Sequence, residues 1–300
     1  TVLSLAIIAT AAFAASRGLA APEHRWFWFL LLTAILLRLI ALGGLFLTAD
    51  PSHPFASFFG DEELYKFRTV WIRNLGQGIP ISRADVIYSF DDVGRTAHLF
   101  VLALVQALVG DAPYGLHMLS VASYLCGALL LYRLARRMPE GAAVAEIGRF
   151  KGGSTLLLAS ALPKGAELWS YDLHVALRAD LSGPQLDSEL AAALERYGLR
   201  DRVHLVVGDS RVVEPPPRAC ALVFVDGDHT YQGARADYER WRRFVAPGGH
   251  LLFHDAVDAG GYGNHYPGIA RLVDEIERDD ETLERRPDAG SIAHFTRRSR

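Results

Sequence analysis

At 300 residues the chain allows about two domains. Its net charge of −3 implies no basic stripe and speaks against a nucleic-acid partner, and its two cysteines, Cys126 and Cys220, lie too far apart in unlike regions for a disulfide framework. A 50% hydrophobic content and a mean hydropathy of +0.14 are high for a soluble protein. Thr1 in place of Met points to an incomplete N-terminus, that of a fragment or a processed product.

The first half reads as membrane protein. "TVLSLAIIATAAFAAS", residues 1–16, suits either a clipped first span or a signal-peptide core ending in small residues; the close following span favours the former. "WFWFLLLTAILLRLIALGGLFL", residues 26–47, carries one charge, Arg38, and matches the roughly 20 apolar residues a spanning helix needs. Trp26 and Trp28 fit an interfacial belt. A polar outer loop, 48–96, follows. Residues 97–110 are short for a span and read as interfacial or re-entrant. Residues 114–135 form a third span, ending near Arg133, Arg136 and Arg137, which favours a cytoplasmic end. The expectation is a multi-pass membrane region, 1–138, with the rest in the cytoplasm.

The loop holds "GDEELY". The acids Asp61, Glu62 and Glu63 suit a helix N-terminus. With "HLFVLALVQALVGDAPYGLHMLSVASYLCGALLLYRLARR", the stretch from about 25 to 138 resembles the N-terminal part of polyprenyl-phosphate-sugar glycosyltransferases. The resemblance implies Asp61 as a base toward the acceptor. That family needs many more spans, so the segment reads as a relic, a fusion product or an anchor.

From Pro139 the composition changes, and a second domain, 139–300, begins. Strands are predicted at "AAVAEIG", "AELWSYD", "RVHLVVGD", "CALVFVD" and "GGHLLFHD". Helices are predicted at "GSTLLLASAL", "DSELAAALERYGL", "YQGARADYERWRRFV" and "GIARLVDEIERD". The alternation implies an α/β, doubly wound, Rossmann-like parallel sheet. "TLERRP" and "SIAHFTR" add two edge strands.

Ligands of such sheets bind at the C-terminal strand ends. The first end offers Glu146, Gly148 and Gly152, spaced E-x-G-x-x-x-G, which suits either a ligand cradle or a plain tight turn. The second ends at Asp172, a ribose acid or a helix cap. Asp209, at the third, faces an adenine or caps a turn. Asp226, Asp228 and His229 leave the fourth, and His254 and Asp255 the fifth. Carboxylates and histidines held this close call for a cation, or else for ordinary capping beside a solvated cleft. "GGYGNHYPG", 260–268, is a candidate substrate lid, and Trp241 reads as helix packing.

"EIGRFKGGST", "YDLH", "GDS" and "VFVDGDHTYQGARADYERWRRFVAPGGHLLFHD", in that order, resemble class I S-adenosylmethionine-dependent methyltransferases over residues 142–256, closest to metal-assisted sugar and small-molecule O-methyltransferases. The resemblance implies that the backbone around Glu146, Gly148 and Gly152 holds the methionine part of S-adenosylmethionine, with Asp172 on the ribose and Asp209 near the adenine. It implies Asp226 and Asp255, with His254 beside them, at a Mg²⁺ or other divalent site, and Asp228 as base with His229 as helper or rival. His254 stands where the sugar enzymes carry an acid, and His is a poor Mg²⁺ ligand. Either the metal differs, or two carboxylates suffice, or none is needed. The chain thus reads as a membrane-anchored methyltransferase acting on a small-molecule, sugar or lipid-linked glycan hydroxyl. The alternatives are a glycosyltransferase fragment with a non-catalytic tail, or a non-enzymatic anchor.

Overall fold

The computed structural model describes residues 2–17, 19, 21–48, 61–89, 100, 103–104, 106–108, 113–174, 182–256 and 266–299. They fall into two compact units, one within residues 1–126 and the other within 127–256 and 266–299.

The first unit is helical. Helix α1 is Val2–Ser16, α2 Ala21–Thr48, α3 Asp61–Gly76 and α4 Arg83–Ser89; α5, Pro113–Arg136, begins here and continues into the second unit. Ile8, Ala12 and Ser16 bury one face of α1 at i,i+4 spacing, and Phe27 with Leu31 does the same on α2. The Arg38 guanidinium lies over the Tyr124 ring, 5.4 Å from its centroid. The loop expected over 48–96 thus carries two helices, and Asp61, Glu62 and Glu63 form the first residues of α3.

Helices do form at 1–16, 26–47 and 114–135, but none among the described residues is long and apolar enough to cross a membrane. This corrects the multi-pass membrane placement, and the cytoplasmic placement of the second domain, argued from those spans, falls with it. Helix α1, at 15 residues, extends about 22 Å against a hydrocarbon core of about 30 Å. Helix α2 carries Arg25 near its start and Arg38 at its middle, and α5 carries His117, Arg133 and Arg136. The interfacial segment expected over 97–110 lies largely outside the described residues.

The second unit is a seven-stranded sheet between helices. Strands β1 (Ala143–Ile147), β2 (Glu167–Asp172) and β4 (Cys220–Val225) are followed by α6 (Gly153–Ala161), α7 (Gly183–Arg196) and α8 (Tyr231–Trp241), while β3 (Val203–Val207) runs on to β4 without a helix and β5 (Val245–Phe253) comes after α8. Helix α9 (Pro267–Asp279) precedes the hairpin β6 (Leu283–Ala289) and β7 (Ile292–Arg297). The order is β3-β2-β1-β4-β5-β7-β6. The first five strands are parallel, and β7 is antiparallel to both its neighbours. Of the two strands expected at the edge, only β6 is there; β7 lies inside.

All five residues of β1 are buried, as a strand covered on both faces requires. The two-residue period divides the core. Ala143, Ala145 and Ile147 pack with Trp241 of α8 and Ile269, Leu272 and Ile276 of α9. Val144, with Leu222 and Phe224 of β4, packs against Leu158 of α6, Leu190 and Leu194 of α7, and Leu131, Leu134 and Ala135 of α5. Ile147 pairs with Tyr171 and with Val225, and Val225 with Phe253. This register ends four strands level, so the residues just after them share one edge of the sheet.

Candidate active site

The turn after β1 is set by close backbone approach. Gly148 has φ +85°, and a Cβ there would stand 2.1 Å from the Asp226 carbonyl oxygen. No other residue fits without pushing the β1 and β4 ends apart. Three non-glycine residues beyond strand ends also have positive φ: Phe150 at 44°, His174 at 57° and Asp255 at 51°. Such backbone costs energy and clusters at functional sites.

Asp172, ending β2, holds this turn. Its Oδ2 accepts the amides of Arg149 (2.9 Å) and Phe150 (3.0 Å), and its Oδ1 accepts that of His174 (2.7 Å). Burial would raise its pKa, but the three amides outweigh burial and hold it below the ordinary carboxylate value. The Arg149 guanidinium, fully buried, runs beneath. Nε donates to Asp187 Oδ1 at 2.7 Å and Nη2 to Oδ2, while Nη1 donates to the carbonyls of Ser170 and Val206, each at 2.9 Å. His174 Nε2 lies 3.1 Å from Arg149 Nη2 and 2.9 Å from Asp187 Oδ2. The turn is thereby tied to β2, β3 and α7.

Past β4 and β5 stand Asp226, His229, His254 and Asp255. His254 Nδ1 lies 3.0 Å from Asp226 Oδ1 and 3.3 Å from Asp255 Oδ1. His229 Nε2 lies 3.5 Å from Asp226 Oδ1 and 3.4 Å from Asp255 Oδ2. The His229 ring also lies against Tyr266, with centroids 4.2 Å apart. Burial alone would lower the pKa of His229; the Asp226 and Asp255 carboxylates reverse this and push it up to about 9. Burial opposes the charge on Asp226 too, and the two imidazoles hold its pKa down.

A protein-family model described as "Methyltransferase domain" matches residues 145–256, which contain this turn and this cluster. Residues 145–256 are thus a methyltransferase domain. An uncharacterised protein of Acanthamoeba polyphaga mimivirus is 27% identical over 66 residues, which are 22% of this chain and 30% of the viral protein. The chain therefore matches under a third of this curated relative's length. Among solved structures, cofactor-bound Rv0187 from MTB is 22% identical with a TM-score of 0.46, covering 66% of this chain and 95% of its own. The O-methyltransferase TomG from Streptomyces achromogenes, in complex with S-adenosylmethionine, is 19% identical with a TM-score of 0.43 over 73% and 97%. An O-methyltransferase from Bacillus cereus, in complex with S-adenosylhomocysteine, is 18% identical with a TM-score of 0.41 over 78% and 100%. No counterpart of the glycosyltransferase resemblance at residues 25–138 is found among these proteins.

The other expected site residues have these surroundings. Glu146 points into the sheet–helix layer, where Thr155 Oγ1 and Ser170 Oγ each donate to its Oε2 at 2.6 Å. Burial raises its pKa against the nearby hydroxyls. Gly152 (φ +78°) sits against Leu190, and a Cβ would come 2.4 Å from Leu190 Cδ1. Asp209 is clasped by Arg211, whose Nε lies 2.8 Å from Oδ1, and this holds its pKa at about 2. Asp228 turns back on the start of α8: its Oδ1 accepts the Thr230 amide at 2.8 Å, and its carboxyl packs where a Gly233 Cβ would stand. The cluster beside the turn therefore gathers His229 with Asp226, His254 and Asp255. The lid expected over 260–268 lies outside the described residues up to 265.

Sequence reading missed Arg149 and Asp187, which lie 38 residues apart and carry no spacing signal. The one hint was an arginine inside a glycine-rich turn, where a buried guanidinium needs an acid. Asp237 of α8 was also passed over. It is buried, accepts Ser210 Oγ at 2.5 Å, and burial raises its pKa to about 6.

Proposed function

We propose that this chain transfers a methyl group from S-adenosylmethionine to a hydroxyl oxygen of a sugar or other small molecule. The observation that carries this reading is the packing of Gly148 onto Asp226. A cofactor lying on the β1 turn would meet the acid- and imidazole-lined cluster at its reactive end.

The cofactor, when bound, supplies a methyl group on a positively charged sulfur, so the protein has chiefly to align the partners. Gly148 lets the backbone come close to the methionine part. Asp172 has about four lone-pair positions, of which its own turn fills three. It keeps one, on Oδ1, for a ribose hydroxyl. An acceptor hydroxyl is a weak nucleophile until its proton is removed. Asp228 takes that proton as the oxygen–carbon bond forms and the sulfur–carbon bond breaks, and the polar cluster orients the hydroxyl.

The test is transfer of labelled methyl from S-adenosylmethionine by the full chain to a panel of sugars and phenols. Asp228→Asn is expected to keep cofactor affinity within about twofold and to lose on the order of 100-fold in turnover. Asp172→Ala is expected to lose cofactor binding. Transfer only to nitrogen or carbon acceptors, or loss of cofactor binding in Asp228→Asn, overturns the reading.

A further inference from the structure

The sugar-methyltransferase resemblance implies Mg²⁺ beside Asp226 and Asp255, and the side chains gathered there do not fit that ion. Mg²⁺ takes octahedral oxygen at about 2.0–2.1 Å and keeps much of its water. Here two imidazole nitrogens face into the cluster. His229 Nε2 and His254 Nδ1 are both buried and make no hydrogen bond, although carboxylate oxygens stand 3.0–3.5 Å away. The rings are therefore not aimed along hydrogen-bond directions toward those oxygens.

We infer that Asp226, His229 and His254, with Asp255 flanking them, form a site for a nitrogen-seeking divalent transition metal such as zinc, cobalt or iron(II). Ligand atoms of Asp226, His229 and His254 all lie within 4.8 Å of one another. Around a tetrahedral ion with bonds of about 2.0–2.2 Å, neighbouring ligand atoms stand about 3.4 Å apart. The nitrogen–oxygen separations here are 3.0, 3.3, 3.4 and 3.5 Å. Charged hydrogen bonds would draw the same pairs to about 2.7–2.9 Å. Imidazole suits zinc, iron, copper and nickel, whereas an all-oxygen set suits magnesium and calcium. The ligands come from two neighbouring strand ends, with Tyr266 against the His229 ring, so ring orientation is set before an ion arrives. The inference stands on the donor set and does not depend on which acceptor is methylated.

The experiment loads the chelator-treated full chain with Co²⁺ and reads the visible d–d bands, then repeats the titration in excess Mg²⁺. One Co²⁺ per chain with the intense bands of a tetrahedral site is expected, undisturbed by a 100-fold excess of Mg²⁺. His229→Ala and His254→Ala should each weaken Co²⁺ binding at least 100-fold. His254→Asp, which swaps a nitrogen donor for oxygen, should narrow the preference for Co²⁺ over Mg²⁺ at least tenfold and thereby controls for misfolding. S-adenosylmethionine binding is measured on the same samples. Cofactor binding without Co²⁺ uptake overturns the metal site and leaves the methyltransferase reading intact. Equal competition by Mg²⁺, or unchanged Co²⁺ binding in both alanine variants, also overturns it.

Discussion

Replacing Arg149 by methionine tests whether the buried guanidinium holds the cofactor turn. Methionine keeps an unbranched apolar stem and removes the guanidinium with its charge. The change strips Asp187 of its two-pronged partner and leaves the Ser170 and Val206 carbonyls without a donor from this side chain. Breaking a buried pair by removing one member costs about 3–5 kcal/mol. Taking about 4 kcal/mol, the unfolding equilibrium of the second unit shifts about a thousandfold. That is a large share of the roughly 5–15 kcal/mol that holds a domain together. The assay is amide exchange of β1 and β2 in the full chain, with Asp187→Leu and the double variant alongside. The double variant, which leaves no orphaned charge, is expected to recover at least about 2 kcal/mol over Arg149→Met. Cofactor affinity should fall at least tenfold in the single variant, because the amides of Arg149 and Phe150 lose their fixed place over Asp172. A single variant within about 0.5 kcal/mol of the parent, or a double variant no better than the single, refutes the reasoning.

Gly148→Ala is expected to destabilise the second unit by about 3 kcal/mol, combining a left-handed residue with a backbone collision at 2.1 Å, and to abolish cofactor binding; thermal unfolding and calorimetric titration check both. Asp237→Asn should stabilise the chain at pH 7 and not at pH 4. The parent Asp237 has a folded pKa of about 6 against 3.8 when unfolded, so the folded state binds the extra proton between those values. Its cost is thus absent below about pH 4 and complete above about pH 6, at most about 3 kcal/mol, readable in the exchange of β4 amides at the two pH values. A gain of equal size at both would contradict this origin.

The doubly wound sheet was legible because its signals are local. "AVAEI" is apolar but for Glu146, and β1, β2, β4 and β5 are each followed by a polar end and a helix of suitable period. The place of β7 was not legible, since pairing of 293–296 with 250–253 is set by tertiary packing. The tips of β4 and β5 were legible as acid- and histidine-rich, but not the direction of each side chain. Asp228 and His229 are adjacent in sequence, yet one accepts the Thr230 amide just before α8 and the other enters the cluster. The membrane expectation rested on composition. Hydropathy alone does not account for the length of α1 or for the arginines within α2 and α5.

The packing of α5 against the sheet changes where this protein can be cut. Composition shifts at Pro139, and a truncation there looks natural on the sequence. Leu131, Leu134 and Met138 nevertheless belong to the same buried cluster as Val144, Leu158 and Phe224. A chain begun at Pro139 would leave those partners facing water, at about 1.5–3 kcal/mol for each large side chain removed. Such a loss rivals the stability of an ordinary domain. The smallest autonomous form of the second unit therefore begins inside a helix, near Gly127, and a shorter one would be prone to aggregate through the face that α5 covers.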